Sequence, residues 1–184
     1  MISKIPLSLT YLRIIIIPIF VFAFFIPGEI GKWTTCGLFV FACITDYLDG
    51  KLARSLNQES KLGALLDPIA DKIIVAVAII LLIHDETIKD LTLFAALIII
   101  SREILVSGLR EFLASLQLSL PVSSLSKAKT FIQMFALSVL LSGEPGNNLL
   151  LGYGRDIGLF SLWVAAAVTV YTGYVYLVKG LKHI

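Results

Sequence analysis

Four aspartates stand at helical spacing in a stretch that is otherwise rich in apolar residues: Asp46, Asp49, Asp67 and Asp71. Spacings of three and four residues place the members of each pair on one face of a helix. A charge inside a membrane span costs at least about 2.5 kcal/mol, so such residues are usually functional. A structural role, such as pairing of Asp71 with the adjacent Lys72, would account for one or two of them but not for four.

Clustered carboxylates repel one another, and a low dielectric strengthens the repulsion. Either some of them are protonated, or about two divalent cations neutralise them. Oxygen ligands favour hard ions such as Mg²⁺ or Mn²⁺ over zinc, and paired metals commonly assist phosphoryl transfer. Gly50, Ala53 and Gly63 would leave the carboxylate faces open to a nucleotide, and Arg54 can make a forked contact to phosphate.

Composition shows which surroundings this stretch would need. The 184 residues are 58% hydrophobic and only 15% charged, whereas soluble domains carry about 25% charge. The mean hydropathy is +0.93. A formal charge of +2 gives no support for nucleic-acid binding. The composition therefore indicates lipid as the environment of the chain.

Six segments are apolar and long enough, or nearly so, to cross a bilayer as helices. They cover residues 9–26, 33–54, 62–83, 91–113, 122–141 and 156–178. We read the first as a retained span rather than a signal peptide, because no small-residue cleavage site follows it. The expected fold is all-α, a single membrane-embedded catalytic domain over residues 1–184.

The distribution of Lys and Arg beside the spans predicts orientation. One side holds nine of them, and the other holds three: Lys4, Lys51, Arg54, Lys61, Arg110, Lys127, Lys129, Lys179 and Lys182 against Lys32, Lys89 and Arg155. Both termini are therefore expected in the cytosol. The connection between the second and third spans lies on the same side, which places the aspartates at the cytosolic interface.

A family resemblance rests on the pattern Asp46-x2-Asp49-Gly50-x2-Ala53-Arg54-x8-Gly63-x3-Asp67-x3-Asp71. It resembles the complete signature of the CDP-alcohol phosphotransferases, whose six-helix fold agrees with the six spans. The resemblance implies that the four aspartates hold two divalent cations and that Asp71 accepts the proton of the attacking hydroxyl. It also implies that Asp49, Gly50, Ala53, Arg54 and Gly63 bind the CDP group.

The second half is similar to one bacterial branch of that family, which transfers the phosphatidyl group of CDP-diacylglycerol to sn-glycerol 3-phosphate. The similarity rests on Ser101-Arg102-Glu103, on the run 108–112, on Lys127-x-Lys129-Thr130 and on Gln133-Met134. Ser126 departs from the pattern, where relatives often have glycine. The resemblance implies a homodimer in the bacterial cytoplasmic (inner) membrane, with its active site facing the cytosol.

A phosphorylated acceptor would need cations, and Arg102, Arg110, Lys127 and Lys129 provide a set on the cytosolic side. The positive-inside bias alone would also explain the two lysines. These lysines point about 200° apart on a helix, so we expect one of them to contact the substrate. An ion pair with Glu103 or with another acid is the alternative role for Arg102.

Two alternative functions remain open. One keeps the chemistry but changes the acceptor, as in a cardiolipin synthase or an enzyme that uses inositol phosphate. The other is a cation or proton transporter with buried aspartates along its pathway. Two smaller features do not bear on the function. We interpret the spacing of Gly154 and Gly158 as chance. We interpret Tyr171, Tyr174 and Tyr176 as anchors at the membrane interface.

Overall fold

The structure is a computed structural model that describes residues 5–56, 61–118 and 124–181, without the side chains of residues 5–10, 47–56, 61–65, 67, 68 and 181. Within these ranges it is all-helical and contains no strand. The helices are α1 (Ile5–Phe24), α2 (Gly28–Leu56), α3 (Lys61–His84), α4 (Thr92–Ser115), α5 (Ser124–Leu141), α6 (Gly143–Leu149) and α7 (Gly154–Leu181).

Each of the six predicted segments coincides with one of the long helices, so the all-α prediction is confirmed. The predicted break after the fifth segment contains the short helix α6. Pro145 lies in the first turn of α6, where its missing N–H removes no helical hydrogen bond. Gly143 begins α6 with φ +58°, a conformation that glycine adopts without strain.

Two of the described helices are long and apolar enough to cross a membrane, α4 and residues Gly154–Gly180 of α7. A shorter apolar stretch covers Tyr11–Phe24 of α1. These helices support a membrane protein, in agreement with the mean hydropathy of the sequence.

Large apolar side chains are exposed on the outer faces of several helices. Phe22 of α1, Phe94 of α4, Phe131 of α5 and Phe160 of α7 are 60–77% exposed. Soluble monomers seldom expose large apolar patches. The exposed phenylalanines therefore agree with the hydropathy of the sequence in favouring a lipid-facing surface.

The helices pack as two groups that share α5. Helix α1 packs on α2 and α3, while α7 packs on α4 and α5, and α5 also contacts α2 and α3. Phe20, Phe39, Ile79, Leu137 and Leu162 are fully buried in the common core. This arrangement brings α2, α3, α4 and α5 around one space, which contains the candidate site.

The glycines that begin α7 have a packing role that the sequence interpretation missed. A Cβ at Gly154 would lie 2.8 Å from Asn147 Cα, and one at Gly158 would lie 2.6 Å from Leu140 Cδ2. Helix α7 can therefore approach α5 and α6 closely because both positions lack a side chain. The interpretation of Gly154 and Gly158 as a chance pair is therefore wrong.

Candidate active site

Arg13 joins two of the four signature aspartates. Its Nη1 lies 3.1 Å from Oδ1 of Asp46 and 2.6 Å from Oδ1 of Asp71. The three residues come from α1, α2 and α3. Arg13 is only 1% exposed, while the two carboxylates are 39% and 34% exposed. The two carboxylates therefore form ion pairs with a buried guanidinium and remain accessible to solvent.

The other signature residues lie outside the described side chains: Asp49, Gly50, Ala53, Arg54, Gly63 and Asp67. Their backbones belong to α2 and α3, with Asp49 one turn after Asp46 and Asp67 one turn before Asp71. Among the side chains that the structure does describe, no group of three or more acids, histidines or cysteines is close enough to hold a metal. The predicted four-aspartate centre includes two residues outside that set.

The described pair nevertheless meets the main requirement of a hard divalent cation. Oxygen ligands from two helices converge on one positively charged atom, Arg13 Nη1, and carboxylate oxygens are the ligands that Mg²⁺ prefers. The chemical type of these oxygen donors therefore fits a metal such as Mg²⁺ or Mn²⁺.

A cavity of about 400 Å³ opens beside this pair. Residues of α2, α3, α4 and α5 line it. Its acids are Asp46, Asp71 and Glu103, and its cations are Lys72, Arg102, Arg110 and Lys129. Ser107, Thr130, Gln133 and Met134 are also in the wall. Carboxylates and cations therefore share one water-accessible space of ligand size.

Arg102 is held by groups from α7 as well as by its neighbour. Its Nη2 donates a hydrogen bond to Thr172 Oγ1 at 3.1 Å, and the Thr172 hydroxyl donates to the carbonyl of Val168 at 2.8 Å. The guanidinium lies over the ring of Tyr176, 5.7 Å from its centroid. The contact to Glu103 is longer, 3.5 Å. These contacts fix the orientation of the guanidinium at the cavity.

Gly173 makes room for this arginine. A Cβ at that position would lie 3.0 Å from Arg102 Cγ, so a larger residue would displace the side chain. Thr172, Gly173 and Tyr176 are the positioning residues that the sequence interpretation missed. Tyr176 is buried, and its prediction as an interfacial anchor is wrong. Tyr171 and Tyr174 are exposed as expected for anchors.

The two lysines of α5 differ in their surroundings. Lys129 is 2% exposed, lines the cavity and forms an ion pair with Glu103. Lys127 is exposed, and the described cavity wall does not include it. Arg110 is exposed and lines the cavity. The structure therefore brings Arg102, Arg110 and Lys129 together and leaves Lys127 apart, as the 200° separation of the lysines suggests.

The arrangement suits the transfer of a phosphate-bearing group. Cations of α3, α4 and α5 can bind phosphate oxygens, and a carboxylate can accept a proton from a hydroxyl that is held in the same cavity.

Comparison with known sequences identifies the family. The sequence profile of the CDP-alcohol phosphatidyltransferases matches residues 3–171. The chain belongs to the CDP-alcohol phosphatidyltransferase family. The resemblance drawn from the aspartate signature is thereby confirmed, and the match includes every residue of the cavity wall.

Several family members are similar over almost their whole length. A protein of Rickettsia felis is 44% identical, and the match covers 95% of this chain and 93% of the relative. One of Rickettsia bellii is 45% identical with the same coverage. One of Pseudomonas fluorescens is 40% identical over 98% of this chain and 92% of the relative. All three are named CDP-diacylglycerol–glycerol-3-phosphate 3-phosphatidyltransferase.

Proposed function

We propose that the protein transfers the phosphatidyl group of CDP-diacylglycerol to sn-glycerol 3-phosphate, which gives phosphatidylglycerophosphate and CMP in phospholipid biosynthesis. The observation that carries this proposal is the shared cavity, in which the Asp46–Asp71 pair faces four cations. The names of relatives that are 40–45% identical support the choice of donor and acceptor.

The reaction is an in-line displacement at the phosphorus that bears the diacylglycerol. The primary hydroxyl of glycerol 3-phosphate forms the new P–O bond and gives its proton to the carboxylate of Asp71. The P–O bond to CMP breaks, and CMP leaves with the bonding electron pair. Asp71 suits this role because its carboxylate is one-third exposed and lines the cavity.

The acceptor phosphate would bind the cationic side of the cavity. Arg102 offers a guanidinium that Thr172 and Tyr176 hold in place, and Lys129 and Arg110 add positive charge. Arg guanidinium groups bind phosphate with paired hydrogen bonds. These contacts would hold the hydroxyl of the acceptor near Asp71.

Two divalent cations, Mg²⁺ or Mn²⁺, would be held by Asp46, Asp49, Asp67 and Asp71. When bound, they supply positive charge for the diphosphate and for the departing CMP. The contact of Asp46 and Asp71 with the same nitrogen of Arg13 supports this assignment, because it brings the two carboxylates close together. Asp49, Gly50, Ala53, Arg54 and Gly63 would bind the CDP group, as the family signature implies.

We further propose six membrane spans formed by α1, α2, α3, α4, α5 and α7, with both termini and the cavity on the cytosolic side of the bacterial inner membrane. The lengths of these helices and the nine-to-three distribution of Lys and Arg support this topology. A single catalytic domain over residues 1–184 remains a prediction from the length and composition of the chain, and a homodimer remains a prediction of the family resemblance.

CMP release from CDP-diacylglycerol tests the proposal. Purified protein in detergent is supplied with Mg²⁺ and with glycerol 3-phosphate, phosphatidylglycerol or inositol 1-phosphate in separate reactions. We expect CMP release with glycerol 3-phosphate at a rate that far exceeds the others. Preferential release with another acceptor would assign a different branch of the family. No CMP release with any acceptor would contradict the enzyme assignment and is the result expected for a transporter.

A further inference from the structure

Gln133 is a buried polar residue in the cavity wall that the reaction described above does not use. It is 2% exposed, and its Oε1 accepts no hydrogen bond from the described residues. A buried polar atom without a partner is destabilising, because nothing replaces the hydrogen bonds that it made to water. Such an atom in a ligand cavity calls for an explanation, and a bound ligand would provide its partner.

The carboxylates of the described wall each have a cationic partner. The carboxylates of Asp46 and Asp71 are paired with Arg13, and Glu103 receives both Lys129 and Arg102. The hydroxyls of Ser107 and Thr130 donate to Glu111 and to the carbonyl of Ser126, and their oxygens can still accept. Among the buried acceptors of the described wall, the side-chain carbonyl of Gln133 is the one that has no hydrogen-bond partner in the described residues.

Gln133 also lies beside the groups proposed to bind the acceptor phosphate. It is one helical turn after Lys129 on α5, so the two side chains share a face and are separated by a rise of about 5–6 Å. The terminal amide of glutamine rotates through a broad range, which allows Oε1 to turn toward a ligand in the cavity.

Glycerol 3-phosphate presents three polar groups to such a site. Its phosphate is matched by the cations, and its primary hydroxyl is matched by Asp71. Its secondary hydroxyl, on the central carbon, is a neutral donor that still needs an acceptor. We propose that Gln133 is a specificity-determining residue whose side-chain carbonyl accepts a hydrogen bond from this secondary hydroxyl. The assignment rests on the proposed function.

The site would therefore distinguish glycerol 3-phosphate from an analogue that lacks the central hydroxyl. 3-Hydroxypropyl phosphate retains the phosphate and the primary hydroxyl, so it can bind the cations and can react. With this analogue, Oε1 of Gln133 stays without a partner. Sites built to bind a hydroxyl discriminate strongly against such analogues.

The experiment measures kcat/KM for both acceptors in the wild type and in Gln133→Met and Gln133→Glu variants. Methionine has a similar length but no strong acceptor, whereas glutamate keeps an oxygen at the same distance from the backbone. We expect the wild type to prefer glycerol 3-phosphate at least about tenfold. Gln133→Met should bring this ratio close to one by losing activity with glycerol 3-phosphate alone, and Gln133→Glu should retain a preference.

The outcomes separate the two proposals. Equal use of both acceptors by the wild type would overturn the role of Gln133 while leaving the reaction intact. An unchanged ratio in Gln133→Met would do the same, even if both activities fell together through a structural effect. If Gln133→Met does not fold, loss of the preference in Gln133→Glu would overturn the assignment and its retention would support it. Absence of CMP release from the wild type with either acceptor would instead contradict the proposed function.

Discussion

Asp46 and Asp71 approach the same guanidinium nitrogen from two helices, yet we expect the two residues to contribute differently to the reaction. Asp71 is the proposed proton acceptor, whereas Asp46 would act only as a metal ligand. Their common contact with Arg13 makes the two substitutions comparable, because each would remove one of two similar carboxylate contacts.

Asp71→Asn should lower kcat by about 10²–10⁴-fold, the usual contribution of general acid–base catalysis. It should retain metal-dependent binding of CDP-diacylglycerol better than Asp46→Asn does. Both quantities can be measured on the purified variants, by CMP release and by titration of the CDP-lipid with and without Mg²⁺. Equal loss of binding in both variants would refute the assignment of the proton transfer to Asp71.

The position of Arg102 predicts a second residue-scale effect. Thr172→Val removes the hydrogen bond to Nη2 of Arg102 and preserves the shape of the side chain. One such bond contributes about 0.5–1.5 kcal/mol, so KM for glycerol 3-phosphate should rise about 2–10-fold with little change in kcat.

Thr169→Val is the matched control, because Thr169 is fully buried and its hydroxyl has no hydrogen-bond partner among the described residues. Its KM should stay unchanged. A similar rise of KM in both valine variants would show that the effect comes from packing in α7 rather than from Arg102.

The sequence predicts the aspartates well and their partners poorly. Asp46 and Asp71 are recognisable because helical spacing and an apolar setting are local features. Arg13 lies 58 residues before Asp71 in the chain, and no local pattern indicates that the two meet. The burial of Tyr176 under Arg102 likewise depends on how α7 packs against α4. Tyrosine near a helix end has the same sequence signature in both settings.

At the scale of the helices, the sequence predicts where each long helix lies in the chain, but it does not predict which helices pack closely together. Apolar runs of about 20 residues predict all six long helices. The role of Gly154 and Gly158 becomes visible only once α5, α6 and α7 are placed, because a glycine pair is common in loops. Helix α6 was not predicted, since Pro145 and Gly146 usually indicate a turn.

Gly154→Ala should destabilise the protein by about 1–3 kcal/mol, because the added Cβ would meet the backbone of Asn147 at 2.8 Å. Gly158→Ala should cost less, since its Cβ would meet the flexible end of Leu140. Thermal unfolding in detergent can rank the variants.

Gly108→Ala in α4 is the control for the intrinsic effect of alanine, because nothing lies within 4 Å of a Cβ there. It should leave the melting temperature unchanged or raise it, since alanine favours helix by about 0.8–1 kcal/mol over glycine. If Gly154→Ala proves as stable as Gly108→Ala, the close packing of α7 on α6 is not as described.

For the whole molecule, the proposed topology puts the cavity on the cytosolic side and the connections between α1 and α2, α3 and α4, and α5 and α7 on the other. Lys89 and Lys179 are exposed residues on opposite sides of this arrangement. The thiol of a Lys89→Cys variant should react with a membrane-impermeant thiol reagent in intact spheroplasts. The thiol of a Lys179→Cys variant should react only after the membrane is opened.

The measurement uses a background in which Cys36 and Cys43 are replaced by serine, because both are free thiols. Each single-cysteine variant should retain CMP release. The reverse labelling pattern would place the active site outside the cytosol, and equal labelling of both positions in intact cells would contradict a membrane-spanning arrangement of the helices between them.

Transfer of labelled glycerol 3-phosphate into lipid tests the central claim most directly. Purified protein receives CDP-diacylglycerol, Mg²⁺ and the labelled acceptor, and the organic phase and CMP are quantified together. We predict that the label enters the organic phase as phosphatidylglycerophosphate in equal amount to the CMP released, and that Asp71→Asn lowers both rates by about 10²–10⁴-fold. CMP release without incorporation of the label, or incorporation by Asp71→Asn at the wild-type rate, would contradict the account.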